Sequence, residues 1–302
     1  MEKHVITVMA DPKRESVTSA HLTTVNDALV QAGARVLEPV WLSVGEAADL
    51  MFFGLEAEEA DRLAREALGD VPLDLVSQPS GTRRKQLLIS DMDSTIITVE
   101  CIDELADFAG LKPQVAAITE CAMNGELDFK SALRERVALL AGLPESILQE
   151  AYSQRVTLMP GAKALVGTMR SQGAHCLLVS VGFTFFTSRV RETVGFHDDH
   201  ANLLEIVDGK LSGKVMEPIL DRDAKLRSLL EATQKLGLSL KDSLAVGDGA
   251  NDLPMIMAAG LGVAYHAKPV VRASAGAQIN YCDLSALLFL QGYNREDFID
   301  TI

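Results

Sequence analysis

Two carboxylates stand two residues apart in Asp91-Met92-Asp93-Ser94-Thr95, immediately after an apolar run at 86–90. In an extended chain residues i and i+2 project to one side, so if the strand direction persists briefly both acids face one small site. Two such anions repel unless one is protonated or a cation lies beside them. Asp248, with Asp252 behind it in Gly247-Asp248-Gly249-Ala250-Asn251-Asp252, adds negative charge after another apolar run at 243–246. Neither segment contains His or Cys. Oxygen-only ligands select a hard cation, and Mg²⁺ is the usual one where phosphate also binds. Asp91 could then be a nucleophile and Asp93 a proton shuttle, with Asn251 donating to substrate oxygens. Taken alone, Asp-x-Asp reads equally well as an Asx-turn closing a strand.

A third polar segment, Ser180-Val181-Gly182-Phe183-Thr184, follows the apolar run at 176–179. Open parallel sheets bind ligands at the carboxyl ends of their strands. Three segments distant in sequence therefore converge on one crevice, and that convergence favours catalysis over three unrelated turns. Ser180 by itself is a hydroxyl capping a turn. Lys225, in Asp221-Arg222-Asp223-Ala224-Lys225, belongs by its local sequence to the solvated, charged start of a helix.

The elements that must position these residues form two groups. From 86 onward, short and nearly continuous apolar runs at 86–90, 176–179, 243–246 and 262–265 are those of parallel strands covered on both faces. Helical stretches at 161–172 and 223–236 alternate with them, which predicts a doubly wound α/β domain with right-handed crossovers. From about 99 to 155 the pattern is almost wholly helical, broken at Gly110, Gly125 and Gly142-Leu143-Pro144, and predicts a helical cap inserted after the first strand. Asp208-Gly209, between 203–207 and 210–215, is a hairpin signal. Residues 1–80 read strand at 5–9, helix at 19–32, extended at 35–42, strand at 48–53, helix at 57–68 and strand at 72–76. That βαββαβ order is ferredoxin-like. Polar and Gly/Pro residues at 77–82 mark a boundary, giving domains at 1–80 and 81–302.

With 302 residues and 48% hydrophobic content, the chain is long enough for two domains with their own cores and too apolar for general disorder. A net charge of −14, with no basic run longer than Arg83-Arg84-Lys85, argues against a nucleic acid partner. No stretch approaches the roughly 18 apolar residues of a membrane span. Cys101, Cys121, Cys176 and Cys282 lie far apart without zinc-site spacing, and predict a reduced, cytoplasmic protein.

The segments 91–95, 100–104, 123–129 with Arg136, 180–184, Lys225, 246–252 and 264–269 together resemble the phosphoserine phosphatases of the haloacid dehalogenase superfamily, in the bacterial form with an N-terminal ACT-like extension. The resemblance covers residues 87–290. It implies a phosphoaspartyl mechanism, with Asp91 as nucleophile and Asp93 as acid for the departing seryl oxygen and then base for water. It implies Mg²⁺ on the Asp91 carboxylate, the Asp93 main-chain carbonyl and Asp248, with Asp252 in support. Ser180, Val181 through its amide, Gly182, Lys225 and Asn251 would hold the phosphoryl oxygens.

For the cap, the resemblance places Glu100 at the substrate ammonium, Arg136 at its carboxylate, and Met123 and Phe129 as an apolar wall. Residue chemistry alone leaves these open. Glu100 also suits a helix N-terminus, both Arg134 and Arg136 flank the apolar face of Leu133, Val137 and Leu140, and Met123 and Phe129 default to core. The implied substrate is O-phospho-L-serine, hydrolysed to L-serine at the end of its biosynthetic route. The N-terminal domain would bind an amino acid, mediate a homodimer or brace the core. One position departs from the family pattern, because Val181 stands where glycine is usual. Valine can still donate its amide if φ is ordinary there, but not take a left-handed conformation cheaply. The alternatives are a related phosphatase or phosphotransferase for another small phosphorylated amino acid, or a serine-sensing regulator impaired at Val181.

Overall fold

The computed structural model describes residues 2–119 and 127–300, with 120–123 described as helical backbone only. The N-terminal domain runs β1 (Lys3–Met9), α1 (Ser19–Gln31), β2 (Arg35–Val36), β3 (Val40–Ser43), β4 (Ala47–Phe53), α2 (Ala57–Leu68) and β5 (Asp74–Pro79). Its antiparallel sheet has the order β2-β4-β1-β5, with β3 also paired to β4. The extended segment expected at 35–42 is two short strands, because Leu37-Glu38-Pro39 intervenes and Pro39 lacks the N–H a continuous ladder needs. Thr18 caps α1 through its hydroxyl, and Leu22, Val25 and Leu29 form the buried stripe.

Alternation along this sheet sorts residues between two cores. Ile6, Val8, Leu50, Phe52 and Leu75 pack with α1 and α2. Met9, Ala47 and Val76, on the opposite face, join the core of the following domain. The sheet is thus covered on both faces. The polar residues 77–79, expected in a linker, continue β5, and Gln78 is buried with its Nε2 donating to Leu290 O at 2.7 Å.

After a 3₁₀ turn at Ser80–Thr82 comes the α/β domain. It contains β6 (Leu87–Ser90), the cap helices α3 (Cys101–Phe108), α4 (Lys112–Met123), α5 (Phe129–Ala138) and α6 (Ser146–Arg155), then α7 (Ala162–Ser171), β7 (His175–Phe183) and α8 (Thr184–Val194). Next are β8 (Asp198–Asn202), β9 (Leu204–Val207), β10 (Lys210–Val215), α9 (Arg222–Leu236), β11 (Ser243–Gly247), α10 (Leu253–Ala258), β12 (Leu261–Tyr265), α11 (Pro269–Ser274), β13 (Ala277–Ile279) and α12 (Ala286–Leu290). The main sheet has the order β13-β12-β11-β6-β7-β8, every pair parallel. Leu87, Ile89, Leu177, Val179 and Ala245 face α9 and α10, whereas Leu88, Leu178, Leu244 and Val246 face the larger core that includes α7 and α12. Burial on both faces is why these strands read as unbroken apolar runs.

Three differences from the sequence reading bear on the site. The segment 180–183, read as a polar turn after the run at 176–179, is the end of β7, where pairing with β8 shifts register between Val179 and Phe183. The edge strands β8 and β13 carry too short an apolar run to be read in advance. The β9–β10 hairpin lies against the cap: Pro144 and Lys210 form an antiparallel bridge, and Arg134 on α5 pairs with Glu217 at 2.6 Å just after the hairpin. The segments leading into and out of the cap are tied together by the antiparallel bridge Ile97–Leu158.

Candidate active site

β6 pairs in parallel with β11 on one side and β7 on the other, so Asp91, Asp248 and Ser180 leave one edge of the sheet at adjacent strand ends. The centre of this crevice is an ammonium among carboxylates. Lys225 Nζ lies 2.7 Å from Asp91 Oδ1 and 2.6 Å from Asp252 Oδ1, and all three residues are buried. The solvated helix start expected for Lys225 is therefore corrected. Asp221 caps α9 by accepting from the amides of Asp223 and Ala224, both at 3.1 Å, and Lys225 falls on the buried face with Ala224, Ser228 and Leu229.

Asp252 is held at its other oxygen by the Gly249 N–H at 3.0 Å. Gly247 leaves it room, since a Cβ there would overlap the Asp252 carboxylate. Asp248 accepts a long hydrogen bond from Thr95 Oγ1 at 3.5 Å. Carboxylate oxygens of Asp91, Asp248 and Asp252 lie within 4.8 Å of one another. Among the described residues Lys225 alone of the cations touches these carboxylates, with Lys268 acting on Asp248 through its charge, and the cluster is left short of positive charge. Burial, and then Asp252, push the Asp91 carboxyl well above the usual range against the pull of Lys225. Burial, and then Asp252, push Asp248 up to about 6. Burial opposes the charge on Lys225, but Asp252 and Asp91 raise its pKa above the ordinary lysine value. A hard, oxygen-preferring divalent cation fits this donor set and would relieve the repulsion.

Asp93 turns elsewhere. Its Oδ2 accepts from Ser180 Oγ at 2.9 Å, and its Oδ1 from the Cys101 N–H, the first residue of α3, at 2.8 Å. The same carboxyl thus touches the end of β7 and the start of the cap. Ser94 takes a left-handed φ of 56° after it and donates its hydroxyl to Glu100 Oε1 at 2.7 Å. Sequence reasoning missed Ser94. A non-glycine residue with positive φ leaves no local signature.

Around Ser180 the backbone is tightly placed. Ser180 Oγ accepts from the Gly182 N–H at 2.8 Å, and a Cβ at Gly182 would sit 3.0 Å from that oxygen and 3.1 Å from Asp93 Oδ2. The position short of space is thus 182. Val181 is not among the residues with positive φ, so its β-branched side chain is not strained and its N–H remains an ordinary donor. The Val181 carbonyl is held by Asn202 Nδ2 at 2.8 Å, and Asn202 also accepts from the Leu220 N–H at 2.7 Å. This buried amide ties the β7 end to the segment leading into α9. Nothing in its local sequence announced it. Asn251 is half-buried in the turn before α10, with its Oδ1 packed over Gly249.

On the cap side the structure separates two arginines that periodicity could not. Arg134 is exposed and pairs with Glu217, whereas Arg136 is half-buried, its charge felt by Asp103 and Glu100. Burial holds the Arg136 pKa below its usual value. Glu100 keeps exposed surface, yet loss of hydration, and then Asp93, push its carboxyl up to about 7 against the Ser94 hydrogen bond. Phe129 is half-buried at the first turn of α5, which Asp128 caps by accepting from Lys130 N at 2.9 Å and Ser131 N at 3.1 Å. The Met123 side chain lies outside the described residues.

The chain is similar in sequence and fold to known proteins. The model of the haloacid dehalogenase-like hydrolase family matches residues 88–257. A curated phosphoserine phosphatase of Polaromonas sp. is 50% identical over 210 residues, which are 68% of this chain and 89% of that protein. A crystal structure of a haloacid dehalogenase-family hydrolase from Salmonella enterica serovar Typhi superposes with a TM-score of 0.84 at 29% identity, covering 96% of this chain and 98% of that one. An unliganded probable phosphoserine phosphatase from Vibrio cholerae gives a TM-score of 0.78 at 34% identity, over 98% and 88% of the two chains.

Proposed function

The chain belongs to the haloacid dehalogenase-like hydrolases, and on that premise we propose that it hydrolyses O-phospho-L-serine to L-serine and phosphate with Mg²⁺ as cofactor. The observation that carries the reading is Lys225 Nζ set between Asp91 and Asp252 at the ends of adjacent parallel strands, 2.7 and 2.6 Å from their oxygens. A phosphomonoester is an anion approached by an anionic nucleophile, so the encounter needs fixed positive charge. Lys225 supplies one unit of it. Asp91, the Asp93 carbonyl, Asp248 and Asp252 would hold Mg²⁺, which neutralises phosphoryl charge when bound.

Asp91 attacks phosphorus, and Asp93 protonates the departing seryl oxygen. Asp93 then takes a proton from the water that opens the phosphoaspartate. The hydrogen bonds from Ser180 and the Cys101 amide fix the orientation of that carboxyl. Ser180, the amides at 181 and 182, Lys225 and Asn251 surround the phosphoryl oxygens. Glu100 receives the substrate ammonium, Arg136 its carboxylate in a planar fork that suits bidentate pairing, and Met123 with Phe129 the apolar wall. The ordinary backbone at Val181 supports turnover over an impaired sensor. Buried free thiols at Cys101, Cys176 and Cys282 support a reducing, cytoplasmic setting.

The test is phosphate release from O-phospho-L-serine by the full chain, with Mg²⁺ and with chelator. Metal-dependent release is expected. Absence of release from folded protein overturns the reading, and release from O-phosphothreonine at equal kcat/KM overturns the substrate assignment.

A further inference from the structure

Asp74, on the last strand of the N-terminal domain, is fully buried, and all its side-chain hydrogen bonds cross the seam between the domains. Its Oδ1 accepts from the Asn280 N–H at 2.7 Å, and its Oδ2 from those of Tyr281 at 3.0 Å and Cys282 at 2.9 Å. Three consecutive amides closing on one carboxylate form an anion nest supplied by one domain and filled by the other. A buried carboxylate answered only by amides is expensive to desolvate, so it earns its place only by fixing the segment that surrounds it.

That segment continues to the crevice. Cys282 O lies 2.9 Å from His266 Nε2, and the His266 N–H donates to Ile279 O at 2.8 Å. His266 is held at both ring and backbone in a left-handed φ of 43°, a conformation that needs such support outside glycine. Two residues on, the Lys268 N–H donates to Asp248 O at 3.1 Å, and the Lys268 charge acts on the Asp248 carboxyl.

We propose that the N-terminal domain braces the cation site: Asp74 is a positioning residue that, through residues 279–282 and His266, sets where Lys268 holds the backbone of Asp248. The inference rests on the reading that Asp248 holds the cation. Partners one layer behind metal ligands tune affinity strongly, and more distant ones more weakly.

The test is calorimetric titration of the full chain with Mg²⁺ alone, alongside thermal unfolding. Asp74→Asn keeps the shape but replaces one acceptor oxygen with a donor facing either the Asn280 amide or those of Tyr281 and Cys282. His266→Ala breaks the second link and leaves the seam intact. Gln78→Ala removes a seam hydrogen bond that lies off this route. Asp74→Asn and His266→Ala are each expected to raise the Mg²⁺ dissociation constant about three- to tenfold. Their double variant should bind little worse than the weaker single one, because both cut the same connection. Gln78→Ala should lower Tm without moving that constant. Unchanged Mg²⁺ affinity in Asp74→Asn and His266→Ala overturns the proposal, and so does an equal loss in Gln78→Ala, which would make the effect one of general loosening. No Mg²⁺ binding by the unmodified chain would instead overturn the cation reading itself.

Discussion

Two buried aspartates are housed in opposite ways. Asp74, at the seam, meets three backbone amides and no ion-pair partner among the described residues. Asp91, in the crevice, shares a single lysine with Asp252 and has Asp248 within the same cluster of carboxylate oxygens. The seam satisfies its anion fully and leaves it nothing further to bind. The crevice leaves its anions under-compensated, with Asp91 and Asp248 both pushed toward protonation by burial first and Asp252 second. Such tension is stored where a ligand is to relieve it.

The contrast breaks most sharply at Asp91. Asp91→Asn is expected to cut phosphate release by at least about 10³-fold, because an amide cannot form the phosphoryl intermediate. Its stability should move the other way. A raised carboxyl pKa contributes stability present below the ordinary value near 3.8 and lost as pH rises through the folded value, so near neutrality the titratable group is a cost that asparagine removes. In chelator at pH 7, then, Asp91→Asn should melt no lower than the unmodified chain, and a clear drop would mean that its pairing with Lys225 outweighs the repulsion.

Asp74→Asn should show the reverse pattern. It is expected to lower the unfolding free energy by about 2 kcal/mol, from amides left without acceptors, while kcat at saturating Mg²⁺ stays within about twofold. Urea unfolding and steady-state kinetics on one preparation would separate the two quantities. Loss of kcat without loss of stability would put Asp74 on the wrong side of the comparison.

Glu100 lies at the edge of the crevice and titrates within the working range. With its carboxyl pushed up to about 7, it is increasingly ionised, and better able to hold an ammonium, as pH rises through that value. kcat/KM for phosphoserine should therefore rise through about pH 7, and Glu100→Gln should raise KM about tenfold and lose that limb. A Glu100→Gln profile parallel to that of the unmodified enzyme would assign the limb to another group. The smallest effect is expected at Val181. Since its φ is not left-handed, Val181→Gly should change kcat/KM by less than about threefold, whereas Gly182→Ala, which meets Ser180 Oγ at 3.0 Å, should do more harm.

How much could be read from sequence follows the range of each signal. Asp91, Asp93, Ser180, Asp248 and Asp252 were legible because each follows an apolar strand, and parallel pairing brings strand ends together whatever lies between them. The four central parallel strands, the cap, the hairpin and both N-terminal helices were legible through local periodicity. The edge strands β8 and β13 were not, since they carry one and two apolar residues, too few to set a period. The polar segment at 77–79 was read as a linker because its local chemistry is that of one. Its partner, Leu290, lies in another element more than two hundred residues away.

The sequence by itself determined which residue types stand at the strand ends, and therefore a cluster of oxygen donors free of His and Cys. Only the tertiary structure decided which polar residues would lose their water. Lys225 reads locally like any charged helix start and is buried because it falls on the packed face of α9, with its Nζ against Asp91 and Asp252. Arg134 and Arg136 flank one apolar stripe and are told apart by what faces them. Asp74 is a nest-filling anion only because residues 280–282 close over it. Periodicity and turn chemistry are properties of neighbouring residues, whereas the hydration and field that set a side chain's chemistry come from whatever the fold brings against it.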